Sequence, residues 1–239
     1  MRKRKKNKLA IFFFLAIAAF VGMAVFLSPL FAIRQIDILG NEPQLYHEIL
    51  YTAGITPGQN ILTFRASSVR AKINSLPYIK ETSIVREFPD KVSIHVTQRV
   101  PIAKLRLAGG TYLLIDDSGM VMAAFARPIY ALPVAVGIDI ANFAIGDYLD
   151  VGENLVFRNL LLLSDAFNRH DFFPDVVDMS NPLDISFLSG NMRVYFGDVE
   201  DADRKIRYIA AIKEQFNVTH PGVLYIRDVN RQPRFVPLR

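Results

Sequence analysis

Residues 78–98 read YIKETSIVREFPDKVSIHVTQ. In the second half Val92, Ile94 and Val96 fall on one side and Ser93, His95 and Thr97 on the other, the period of a half-buried strand. Residues 78–87 read as a strand too, and Phe88-Pro89-Asp90 between them is a turn signal. Upstream, 33–39 (IRQIDIL) sets Ile36 and Ile38 against Gln35 and Asp37, a further strand. Gly40-Asn41 then turns the chain, and Pro43 suits a first helical position with Asn41 or Glu42 near the cap. Leu45, Ile49 and Ala53 recur at helical spacing, and Gly54 is a natural stop. Val69, Ile73 and Leu76 describe a second short helix, capped by Ser67 or Ser68 and ended by Pro77. Strand, helix, helix, strand, strand is the order of a compact α+β module.

The run from Leu9 to Leu27 (LAIFFFLAIAAFVGMAVFL) carries no charged or strongly polar side chain. A helix of that length covers roughly the hydrocarbon core of a bilayer, where backbone amides can only bond within the segment. Before it, residues 1–8 (MRKRKKNK) hold Arg2, Lys3, Arg4, Lys5, Lys6 and Lys8 and no acid. Basic flanks stay in the cytoplasm, so the N-terminus reads as inside and the rest as outside. A cleavable signal peptide would have a shorter apolar core and small residues at its cleavage site, whereas Ser28-Pro29-Leu30-Phe31 follows here. A buried core helix would show polar positions along its length.

Six of the 28 basic residues lie before Leu9, which leaves 22 against 23 acidic residues beyond it. The basic excess therefore belongs to the tail and speaks for membrane topology, not nucleic acid. With no cysteine in the chain, disulfides, a thiol nucleophile and Cys-ligated zinc are excluded.

Beyond Pro101 and Ala103, read as a boundary, strands are expected over 111–116, 120–125, 176–179, 183–188, 192–196 and 223–227. Turns at Asp117-Ser118-Gly119 and Ser189-Gly190-Asn191 join neighbours as hairpins. Helices are expected over 155–168, strongly apolar, and over 203–216, with Ile206, Ile209, Ile212 and Phe216 as its core stripe. Asp198, Glu200, Asp201 and Asp203 sit where the dipole of that helix favours negative charge.

Catalytic chemistry finds little support. His47, His95, His170 and His220 are scattered, with no metal spacing. The stretch 198–203 (DVEDAD) lacks the central Gly and distal Glu of a calcium loop, and helix capping accounts for it better. Asp116-Asp117 fits turn chemistry better than paired catalytic carboxylates, and His170-Asp171 with Asp175 and Asp178 fits a loop-to-strand transition better than a metal site. No nucleophile-elbow, phosphate-loop or dinucleotide motif occurs. Binding remains: an exposed strand edge can take up a partner's strand. Residues 223–228 (VLYIRD) are read as that last, edge strand. The basic stretch 229–239 (VNRQPRFVPLR) behind it reads equally as a guard, through Arg231, Pro233 and Arg234, or as a partner site.

After one N-terminal anchor come, in order, Ile36-Asp37-Ile38-Leu39-Gly40-Asn41, Gly58-Gln59-Asn60-Ile61-Leu62, Leu76-Pro77-Tyr78-Ile79, Val85-Arg86-Glu87-Phe88-Pro89 and residues 96–103 (VTQRVPIA). Farther on come Ile115-Asp116-Asp117-Ser118-Gly119, Leu132-Pro133, Tyr195-Phe196-Gly197 with the helix containing Lys205, and Leu224-Tyr225-Ile226-Arg227. In this order these short motifs resemble the FtsQ/DivIB family of bacterial cell-division proteins. Gln98 stands where the family usually has Glu, and Tyr225 where Asp is common.

The resemblance implies an α+β chain in four parts: a cytoplasmic tail (1–8), a transmembrane helix (9–29), a POTRA module of order βααββ (33–101) and a mixed β domain with packed helices (102–239). It implies a non-enzymatic scaffold in the cytoplasmic membrane at the division septum, N-terminus inside, with no cofactor, small-molecule substrate or nucleic acid. Its partners would be bitopic coiled-coil proteins of the FtsB/DivIC and FtsL type, besides other divisome members. The expected contacts are Tyr225, Arg227 and Asp228 on the last strand, Phe235 and Val236 beyond it, and Arg204 on the neighbouring helix. The alternatives are a POTRA-containing membrane adaptor in envelope assembly or protein export, and an extracytoplasmic enzyme with an unrecognised site.

Overall fold

The computed structural model describes residues 3–26, 28–107, 109–127, 132–138, 140, 142–149, 155–216, 221–228 and 233–238, without the side chains of 3–10, 25–26 and 214–216. The chain divides into two compact units, Met1–Arg99 and Val100–Arg239.

In the first unit α1 runs over Lys3–Phe26. Every side chain described on it, from residue 11 to 24, is exposed. Among the described residues, which on α1 carry side chains only from 11 to 24, no helix is long and apolar enough to cross a membrane. After α1 come β1 (Gln35–Leu39), α2 (Tyr46–Ala53), α3 (Ala66–Asn74), β2 (Ile79–Glu87) and β3 (Lys91–Gln98). β3 lies in the middle, parallel to β1 and antiparallel to β2. Ile49 and Ala53 of α2 and Val69 and Ile73 of α3 are buried against Ile38, Val92, Ile94 and Val96 of the sheet, the positions that the two periodicities single out.

Pro43 opens a single 3₁₀ turn ahead of α2, with Glu42 in the N-cap position but making no side-chain cap, and Gly54 closes α2 in the left-handed conformation. At Gly40 (φ +84°) a Cβ would lie 2.2 Å from the Val96 carbonyl oxygen, so the turn after β1 can press against β3 only without a side chain. The expected Ser67 or Ser68 cap is corrected: α3 starts at Ala66 behind Arg65, which makes no side-chain cap. Arg65 is extended, and the hydrogen bonds of Ser68 and Val69 N–H to its carbonyl oxygen already start the helix there.

The outer face of this sheet carries a charged network. Lys91 Nζ lies 3.2 Å from Asp37 and 3.1 Å from Glu87, Gln35 donates to Asp37, and Ser93 donates to Glu87. The Gln35 hydrogen bond, then Lys91, holds the Asp37 carboxyl below its ordinary 3.8. Ser93, then Lys91, does the same for Glu87 below 4.5. Carboxyls with depressed values stabilise the fold above their ordinary values and lose that contribution as pH falls through the depressed ones. Lys91 is raised, by Glu87 first and then Asp37, so its share is complete below 10.5 and fades at higher pH. The side chains of Lys91, Asp37 and Glu87 are 32%, 33% and 46% exposed, so water screens the network and the effect is small. Unfolding midpoints should fall modestly as pH drops through 4.5 and 3.8, and Lys91→Met should flatten that acid limb. An identical limb in the variant would show that the network contributes nothing.

The second unit contains β4 (Pro101–Arg106), β5 (Tyr112–Asp116), β6 (Val121–Phe125), β7 (Val134–Val136), α4 (Leu155–Arg169), β8 (Val176–Asp178), β9 (Ile185–Ser189), β10 (Met192–Gly197), α5 (Ala202–Phe216), β11 (Gly222–Tyr225) and β12 (Arg234–Pro237). Among the described residues the strands form one sheet of order β12-β11-β10-β9-β8-β7-β4-β5-β6. β7–β8 and β10–β11 are parallel pairs, which hairpins cannot join, so α4 and α5 are crossovers. Both step the same way across the sheet from strands that point alike, and the right-handed rule puts both helices on one face. There Phe157, Leu160, Leu163, Phe167, Ile206 and Ile209 pack on Leu105, Ile115, Phe187, Val194 and Leu224.

Three strands were missed. Pro101 and Ala103 lie inside β4, in which Lys104, only 5% exposed, interrupts the apolar pattern; burial pushes the Lys104 amine down. β7 is three residues between Pro133 and Gly137. β12 changes the functional reading: residues 234–237 pair antiparallel with β11, which already pairs with β10, so the expected edge strand is interior and β12 is the last strand.

Candidate functional site

β12, β11 and the exposed side of α5 meet at one end of the sheet. Lys205 fixes the start of α5. It is 1% exposed, and its Nζ lies 3.1 Å from Asp198 Oδ1 and donates to the carbonyl oxygens of Asp198 (3.0 Å) and Phe196 (3.4 Å). Asp203, in the first turn, lies 2.7 Å from Arg169 Nη1 and 2.9 Å from His170 Nε2 at the end of α4. The His170 hydrogen bond first, then Arg169, holds its carboxyl below the usual carboxylate range. Lys205→Met would keep the packing of the stem and take the ammonium away from these oxygens, so the unit should lose about 2 kcal/mol, read from chemical unfolding. A loss below about 0.5 kcal/mol would show that water replaces the ammonium without cost.

With α5 held there, Arg204, Arg207, Tyr208 and Ala211 line a groove of about 410 Å³ with Ile226 and Pro233. Arg204 was expected from sequence. Arg207, Tyr208 and Ala211 were missed, though their spacing from Arg204 puts them on one helix face. Pro233 and Ile226 join them because β12 folds back on β11.

The other expected residues divide between the two faces of the sheet. Phe235 is 40% exposed, stands opposite Leu224 on the helix side, and lays its ring over Gly222. Val236 pairs with Val223 and Tyr225 with Arg234, on the open side. There Tyr225 stacks on Tyr195 at 5.2 Å. Arg227 lies over Tyr195 at 5.5 Å and donates to Asp184 at 2.8 Å. Asp228 is exposed after β11 and is not among the residues that line the groove.

The remaining motifs are structural. Asp116 Oδ1 accepts from Ser118 N, Ser118 Oγ and Met120 N, a turn of the expected kind. Asp198 Oδ1 accepts from Glu200 N besides contacting Lys205. His47 and His95 are exposed. His220 and Arg231 lie outside the described residues. Among the described residues no group of three or more His, Asp and Glu could hold a metal ion.

The first unit matches the family described as "POTRA domain, FtsQ-type" over residues 31–99. Across nearly the whole chain, the cell division protein FtsQ of Syntrophotalea carbinolica is 33% identical, covering 92% of this chain and 78% of that one. The chain belongs to the FtsQ/DivIB family of cell-division proteins. Cell division protein DivIB of Clostridium tetani is 26% identical over 84% of this chain and 78% of its own length. FtsQ of Corynebacterium glutamicum is 21% identical over 88% and 93%. The FtsQ/DivIB relatives put this chain in cell division, and their similarity extends over the distal unit as well as the POTRA domain.

Proposed function

We propose that this FtsQ/DivIB chain is a non-enzymatic scaffold of the divisome, anchored in the cytoplasmic membrane by residues 9–27. The N-terminus is inside, and the two units stand outside at the septum. α1 supports the anchor: it is apolar on all sides and exposed from residue 11 to 24, a surface that water does not tolerate and lipid does. Resistance of the chain to carbonate extraction from membranes tests this, and release into the soluble fraction would refute it.

The scaffold holds bitopic coiled-coil partners of the FtsB/DivIC and FtsL type. One observation carries this: the outer edge of β12, unpaired among the described residues, lies beside the groove that α5 lines with Arg204 and Arg207. A partner strand adds to β12 by backbone hydrogen bonds, and its adjoining helix lays acidic side chains along the two arginines. Of the expected residues, Arg204, Phe235 and Val236 meet the partner directly. Tyr225, Arg227 and Asp228 border the site, the first two by bracing the open face under β11. Co-purification of the partner with the full chain and with a chain ending at Asp228 decides the matter: undiminished capture by the shortened, folded protein would rule the edge out.

A further inference from the structure

The chain leaves α1 at Phe26 and makes a 3₁₀ turn over Pro29–Phe31, capped by Ser28. Residues 31–33 are then built into the POTRA unit: Ile61 N donates to Phe31 O, and Ile33 N to Gln59 O, each at 2.8 Å. The tip of the β2–β3 hairpin comes to the same place. Arg34 N donates to Asp90 O at 2.8 Å, Arg34 Nε lies 3.6 Å from Asp90 Oδ2, and the Phe88 ring meets Phe31 edge-on at 6.5 Å. Leu30 is 64% and Phe88 59% exposed.

One exposed apolar side chain is ordinary. Here a Leu, a half-buried Phe and a second, exposed Phe gather at the point where the chain emerges from its apolar helix. Phe31 is four positions on from Leu27, so at most about 14 Å of chain lies between the apolar run and this cluster. The headgroup layer is about 5–8 Å deep, and it is where amphipathic and aromatic groups collect. We propose that Leu30, Phe31 and Phe88 form a foot seated in the outer headgroup layer of the bilayer that holds α1. The occupant of this patch is lipid. The POTRA unit then touches the membrane at two points, the chain exit and the hairpin tip, and cannot swivel freely about α1. This rests on the reading of residues 9–27 as the anchor.

The chain has no tryptophan, so a single Trp reports one position. The full chain is placed in nanodiscs whose lipids carry bromine near the glycerol end of the acyl chains. Phe88→Trp and Leu30→Trp, checked for unchanged unfolding midpoints, should be quenched at least about twofold relative to unbrominated lipid. Tyr51→Trp, at a position 88% exposed on α2, should be unaffected. Phe20→Trp in α1 reports the anchor itself. If Phe20→Trp is quenched and Phe88→Trp behaves like Tyr51→Trp, the foot is overturned and the anchor stands. Quenching of Leu30→Trp without Phe88→Trp also overturns it, because the hairpin tip is then in water. If Phe20→Trp is not quenched, the anchor fails and the foot with it.

Discussion

Phe187→Ala is expected to remove about 3–5 kcal/mol from the unfolding free energy of the distal unit. Phe187, on β9, stands between Phe196 of β10, with centroids 4.7 Å apart, and Phe167 of α4 at 5.4 Å. Phe167 in turn packs at 5.9 Å on Phe172, beyond the end of α4. All four rings are 1% exposed or less. Deleting the middle ring opens a cavity bounded by two strands and a helix, and rigid ring neighbours collapse into it poorly. Lys205 lies over the Phe196 ring at 4.9 Å, so the disturbance reaches the ammonium that seats α5. For a unit of this size the thermal midpoint should fall by about 10 °C. Leu188→Ala, one residue along on the open face and already 37% exposed, should cost less than about 1 kcal/mol. Equal shifts in the two variants would mean that the aromatic cluster is not the centre of this core.

The POTRA unit was legible because its elements obey one period each. Val92, Ile94 and Val96 alternate, Ile49 and Ala53 repeat every four residues, and all five are buried. In the distal unit local pattern and tertiary role diverge. Lys104 occupies a buried strand position, so β4 does not look like a strand. β12 is four residues ending in Pro237, with Arg234 and Phe235 both exposed, and nothing in its own composition requires pairing. Its strand conformation comes from β11, which offers it a ladder. The candidate site was therefore half legible. Arg204, Phe235 and Val236 could be named from the family resemblance, whereas the groove needs α5 and β12 brought together. Arg207 and Tyr208 could have been found from helical spacing around Arg204.

The dependence of β12 on its neighbour separates binding from stability. A Cβ added at Gly222 would lie 2.1 Å from Phe235 Cζ and 2.4 Å from its Cε2, so Gly222→Val leaves the ring no seat. Among the described residues β12 has a neighbour on one side only, and it is tied farther along by Leu238 N to Pro221 O at 2.8 Å. Its cheapest relief is to move outward. It carries no fully buried side chain, so the unfolding midpoint of the distal unit should change by no more than a few degrees, about 1 kcal/mol. Partner capture is a different matter. A strand that has shifted from its register offers no regular edge for strand addition, and Pro233 is drawn away from the arginine groove. Gly222→Val should weaken affinity for the proposed coiled-coil partner by at least about thirtyfold, the effect of losing one hot spot. Phe235→Ala should weaken it as well. The double variant should bind no worse than the weaker single one, because both changes act through the same contact. Wild-type affinity in a folded Gly222→Val protein would show that the partner does not use the β12 edge.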